Sequence, residues 1–160
     1  MKKLFSSITL VVLIGMIVAA GAAGDISISV LDGTVAYGQV AVGASVSTLS
    51  LGDMQIATNT GDAAEKFSIK GQDSASWTLE STAGPNQYVH GFCVWTTEGD
   101  CDNDPGPNDY TALTPEYATL AVSVNVAGVV NFHLRITTPT VNSATDQQHV
   151  DVTVLAEAIP

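Results

Sequence analysis

Leu120-Ala121-Val122-Ser123-Val124-Asn125-Val126 and, four residues on, Val130-Asn131-Phe132-His133-Leu134-Arg135-Ile136 place an apolar side chain at every second position. Side chains alternate across a strand, so this period of two gives each segment one dry face and one wet face. The same alternation runs through Ile26, Ile28 and Val30, and through Val150, Val152 and Val154. Shorter strand candidates lie at 46–51, 54–58, 66–70, 77–81, 88–96 and 110–113. Glycine at 33, 38, 43, 52, 61 and 71 supplies turn spacing in the first half. Gly128 sits where a hairpin is expected to join the two leading strands. No stretch after residue 24 shows a capped helical stripe. About eight to ten antiparallel strands in one chain of this size predict an all-β fold, a single immunoglobulin-like antiparallel β-sandwich. One apolar face per strand predicts a single core.

The N-terminus reads differently. Met1-Lys2-Lys3 is a short basic end, the apolar run 4–20 follows, and Ala22-Ala23-Gly24 offers the small side chains that a signal peptidase accepts. Residues 1–24 are therefore expected to be a signal peptide and 25–160 the sandwich domain. Ala20-Gly21-Ala22 is an alternative cleavage triplet, and a retained membrane anchor is the competing reading of a run close to ~20 residues. Removal after Gly24 leaves Lys66, Lys70 and Arg135 against all sixteen acids, taking the net charge from −11 to −13. Such a surface lacks the clustered cations that nucleic acid or an anionic membrane requires. With 46% apolar residues the chain still has material for a core.

Cys93 and Cys101 fit an oxidising destination as one disulfide stapling a short loop. That loop contains the densest charge in the chain: Glu98, Asp100, Asp102, Asp104 and Asp109, five carboxylates in twelve residues. Alternating acids can wrap oxygens around one Ca2+, making these five the candidate metal ligands. An acidic, solvated hairpin tip is the simpler alternative. Asn103 where an EF-hand has glycine, and two prolines, depart from that motif. His133 and His149 each fall on the outward side of a strong strand; with Asp151 they form a lesser candidate for zinc or copper. Trp95, Tyr88 and Tyr110 flank the acidic loop as a candidate stacking patch, with rim packing as the alternative. No nucleophile elbow, zinc-protease helix, phosphate loop or dinucleotide turn is present, so an enzyme is not expected.

The stretch Val35-Ala36-Tyr37-Gly38-Gln39-Val40-Ala41-Val42-Gly43, followed by Asn59-Thr60-Gly61, resembles the first strands of immunoglobulin-like surface domains of bacteria and archaea, the Hydin-type (ASH-like) sandwiches. The resemblance implies a fold and no active site, because that family shares no chemistry. Export without catalytic motifs points to an extracellular structural protein. It would be the self-associating subunit of a filament, surface layer or matrix, held by sandwich packing or strand exchange. Ile26, Ile28 and Val30 supply the candidate assembly strand, able either to complete a neighbour's sheet or to pair within its own domain. The alternative is a secreted, Ca2+-dependent module binding carbohydrate or protein.

Overall fold

A computed structural model of the chain describes residues 5–9, 24–31, 33–96, 101 and 110–159; for residues 5–9 it describes backbone pairing alone. The elements in chain order are β1 (Phe5–Thr9), β2 (Ile28–Leu31), β3 (Thr34–Gln39), β4 (Ser45–Ser47), α1 (Thr48–Leu51), β5 (Gln55–Asn59) and β6 (Glu65–Gly71). They continue with β7 (Thr78–Leu79), β8 (Gln87–Trp95), β9 (Thr111–Ala112), β10 (Ala118–Val124), β11 (Val129–Thr137) and β12 (Val152–Ala158). The larger sheet has the order β2-β5-β11-β8-β7, with β4 also pairing β11 and β9 also pairing β8. The smaller sheet is β10-β6-β12, and β1 pairs β3 in a two-stranded ribbon. This is the all-β sandwich the alternation predicts. Its pairs are antiparallel except for the two-residue match of β7 with β8.

The main core lies between the sheets. β6 contributes Phe67 and Ile69, β10 Leu120 and Val124, β11 Phe132, Leu134 and Ile136, and β12 Val152 and Val154. These are alternating apolar positions of the sequence, nearly or fully removed from water. Val122 and Val126, expected on the same dry face as Leu120 and Val124, are instead 76% and 53% exposed, because β10 shifts register on both sides of Ala121 and ends at Val124. β3 closes one side with Val35 and Tyr37, and Trp77 packs against Tyr88 with ring centroids 6.0 Å apart.

The hairpin expected at Gly128 is not formed. β10 pairs β6 in the smaller sheet, whereas β11 pairs β5, β4 and β8 in the larger one. Residues 125–128 therefore form an arch from one layer to the other, with Ala127 at a left-handed φ of 60°. Residues 60–64 cross between the same layers. Buried Asn59 ties the two crossings together. Its Nδ2 donates to the carbonyls of Ala63 and Val124 at 2.8 and 2.9 Å, and its Oδ1 accepts from Gly61 N at 2.9 Å. Its backbone exchanges bonds with Gly128 O and Ala127 N. Period two is common to hairpins and arches; a side chain 65 residues distant from Val124 decides between them here.

A second departure is a satellite cluster outside the single core. Cys93, Cys101 and Tyr110 pack together with Leu49 and Trp95. Phe92, Phe132 and Leu134 face the main core, so the pleat turns Cys93 and His133 to the opposite face. That face is covered by α1, Cys101 and Tyr110. α1 occupies part of the expected strand 46–51. Ser47 caps its N-terminus with a bond from Ser50 N, and Gly52 ends it in the left-handed conformation.

Candidate functional site: open edges and a stapled loop

The sheet edges differ in how they are blocked. β10 is interrupted by register shifts between Thr119 and Ala121 and between Ala121 and Val124. β12 carries charge: Glu157 lies 3.4 Å from Lys66 Nζ and accepts from Ser68 Oγ at 2.8 Å, and Asp151 stands just before the strand. β7 spans two residues. Bulges, charge and brevity are the devices that keep unpaired backbone from templating another chain.

β3 is neither charged nor as short as β7, although its ladder with β1 shifts register between Ser6 and Ile8. Its sequence Thr34-Val35-Ala36-Tyr37-Gly38-Gln39 contains no charge, and the uncharged stretch extends from residue 33 to 52 in a chain of net charge −11. Its one hydrogen-bonded strand neighbour among the described residues is β1, in register Phe5↔Gln39, Ser6↔Gly38, Ile8↔Val35 and Thr9↔Thr34. Inside the fold β3 is firmly seated. Val35 and Tyr37 are buried, and Tyr37 Oη and His90 Nε2 share a hydrogen bond of 3.1 Å. Burial pushes the His90 imidazole down to about 3, so the ring is neutral in this contact. Burial likewise raises the Tyr37 phenol well above its ordinary value.

β2 is the other uncharged edge. It pairs β5 alone among the described residues, and its last residue, Leu31, is 64% exposed. The candidate assembly strand is thus seated in its own sheet, with Ile28 buried and Ile26 and Val30 packed against the core. The chain before it is clamped to the β5–β6 turn. Asp25 N donates to Asp62 Oδ1 at 2.5 Å, Ser27 N donates to Glu65 Oε1 at 2.8 Å, and Thr60 N donates to Ser27 O at 2.9 Å. Gly61 is required at this clamp, since a Cβ there would lie 2.1 Å from Asp25 O. Glu65 is enclosed, and burial raises its carboxyl above the usual range. To serve as a donor strand, this segment would have to break all these bonds.

The candidate metal ligands Glu98, Asp100, Asp102, Asp104 and Asp109 lie outside the described residues. The base of their loop is described. Cys93 and Cys101 form the expected disulfide, with Cα atoms 5.7 Å apart. Tyr110 packs beneath Arg135, whose guanidinium sits 4.4 Å from the ring centroid. Gly91 makes room for it, because a Cβ there would meet Tyr110 Cβ at 3.2 Å. Beside this base, a cavity of about 360 Å³ is lined by Ser45, Val46, Ser47, Ser50 and Arg135. Hydroxyls and one guanidinium suit a small polar or anionic group there.

Two expectations for this region are corrected. His133 is buried, not outward: its Nδ1 bonds Thr48 Oγ1 at 2.9 Å and its ring meets Trp95 edge-on at 5.2 Å. His149 is exposed ahead of β12, and Asp151 accepts from Gln72 Nε2 at 2.8 Å. His133 and the His149–Asp151 segment belong to different layers, so the zinc or copper set does not assemble. Among the described residues no group of three or more His, Cys, Asp or Glu side chains is placed to hold a metal ion. The aromatic patch is also dispersed. Tyr88 is fully buried and donates to Gln72 O at 2.5 Å, Tyr110 is buried in the satellite cluster, and Trp95 retains partial exposure.

Sequence reasoning placed residues 35–43 among the first strands, but did not use the uncharged length of residues 33–52 as a signal. Among the described residues no helix is long and apolar enough to cross a membrane. No protein-family model and no curated protein matches the chain.

Proposed function

We propose that the processed chain is an extracellular structural subunit that self-associates through the edges of its sandwich, as part of a filament, surface layer or matrix. The observation that carries this reading is the contrast among edges: β12 is charged and β7 spans two residues, while β2 and β3 run for four and six residues without charge. Unblocked backbone edges favour pairing with another chain. The acidic coat repels copies everywhere except where charge is missing. The disulfide is compatible with an oxidising, extracellular setting, and residues 1–24 have the pattern of an export signal. The test is negative-stain imaging and light scattering of residues 25–160 with and without Ca2+. Regular polymers or discrete oligomers are the expected result; a monomer at millimolar protein under both conditions rejects the reading.

The second reading is a secreted binding module using the stapled loop and its Ca2+-ligating acids. The cavity beside Arg135 favours it, because hydroxyls and a guanidinium are groups that recognise sugars or carboxylates. A monomer that is retained on a glycan array only in Ca2+, and loses retention on Arg135→Ala, would put this reading first.

A further inference from the structure

We propose that β3 is the docking edge for a second copy of this chain, and that the export leader covers that edge until it is removed. This inference rests on the self-association reading above and names its contact. β1, the strand on β3, lies at Phe5–Thr9, inside the segment expected to be cut away after residue 24. Loss of the leader takes β3's described strand partner with it, exposing the backbone donors and acceptors that β1 had met. β3 cannot leave with it, because Val35 and Tyr37 are buried and Tyr37 is bonded to His90. The consequence is a fixed, unpaired edge on an intact fold. The leader ribbon itself demonstrates that this edge accepts an antiparallel strand.

The occupant is a second copy for reasons of charge. A nucleic-acid or anionic-lipid partner needs cations, and the processed chain has Lys66, Lys70 and Arg135 alone. A cationic partner would seek acids, and residues 33–52 have none. Two copies of an acidic protein meeting through this stretch bring no acids face to face within it. The exposed side chains beside it point the same way: Leu31 at 64%, Val42 at 48% and Leu51 at 43% accessibility are apolar and join a dry contact readily. α1, which bears Leu51, packs next to β3. Leader removal then couples two events: the step that releases the chain also makes it competent to assemble, which keeps precursors apart before export.

Every core residue among the described residues, from Ile28 to Ala156, lies within residues 25–160, so the processed chain can be tested directly. Sedimentation velocity across a concentration series would compare it with Thr34→Lys/Ala36→Lys, two exposed β3 positions where like charges would face a docked copy. The expected result is concentration-dependent association in the parent and a loss of roughly tenfold or more in association constant in the variant. The melting temperature should move by no more than ~2 °C, as for surface changes. A nitroxide on Ala36→Cys gives an independent reading. The native cysteines are paired, so it labels one site and should lose mobility as concentration rises. Association unchanged in the lysine variant, with a mobile label, overturns the inference while leaving self-association standing. A parent that stays monomeric overturns both.

Discussion

β3 and β12 are both edge strands of about the same length, seated on the same core, yet they face other molecules differently. β12 holds Glu157 paired with Lys66 and follows Asp151, so an approaching acidic copy meets charge. β3 offers six uncharged residues and a partner strand drawn from Phe5–Thr9. Burial requirements alone would make both strands alike, since each sends alternate side chains into the core. The difference lies in the outward residues, which contribute little to stability and decide what the edge will pair with. One edge is closed by charge; the other, on the proposal above, is closed only until residues 1–24 are removed.

The largest way to probe that contrast is to weaken the whole fold and ask whether association follows. Asn59→Ala removes three buried side-chain hydrogen bonds that join the layers, and should cost about 3 kcal/mol in urea denaturation. If association belongs to the β3 edge, the folded variant associates as the parent does. Association that rises with instability would assign it to partly unfolded chains instead.

Removing the staple is next. Cys93→Ser/Cys101→Ser opens a loop with sequence separation 8, and should lower unfolding free energy by about 2.5 kcal/mol. The staple sits over the outer face of β8 and β11, so neither edge should change its pairing behaviour.

Acid gives a graded test specific to β3. Burial holds His90 down at about 3 against an ordinary 6.5. The unfolded ring therefore takes up protons first. The stabilisation from keeping His90 neutral is complete above pH 6.5 and is lost as pH falls toward 3. The loss approaches about 1.4 kcal/mol per pH unit within that window. Glu65 has the opposite sign: its raised pKa favours the fold at low pH and loses that contribution as pH rises through it. Because Tyr37 of β3 holds His90, the protection factors of β3 amides should fall between pH 6 and 4, with those of β12 changing less. His90→Gln should flatten the urea midpoint against pH over the same range.

The smallest effect is expected at the charged edge. The Lys66–Glu157 pair is more than a third exposed on each side, so Glu157→Gln should change stability by less than ~0.5 kcal/mol. Association through β3 should be unaffected. New association after this substitution would show that charge was closing β12.

The strands themselves were legible because period two survives where the ladder is regular and one face is wet, as in β12; in β10 the register shifts beside Ala121 break it and leave Val122 exposed. The layers they belong to were not. Leu120–Val126 and Val130–Ile136 read equally well as a hairpin or an arch, and Asn59 settles the matter through a contact distant in sequence. His133 misled for a related reason. Its alternation points away from the main core, but α1, Trp95, Cys101 and Tyr110 cover that second face. α1 had a local signal in Ser47 and Gly52, which a β-rich context hid. The disulfide was readable from the even cysteine pair. The five acids of its loop lie beyond the described residues, and their Ca2+ role remains a question for titration.

Amide hydrogen exchange of residues 25–160, followed at Thr34–Gln39 over a hundredfold or so in protein concentration, tests the central claim most directly. The account predicts that β3 edge amides exchange rapidly when dilute and gain protection as concentration rises, while β12 amides stay constant. Exchange at β3 that is independent of concentration, whether fast or slow throughout, would contradict it.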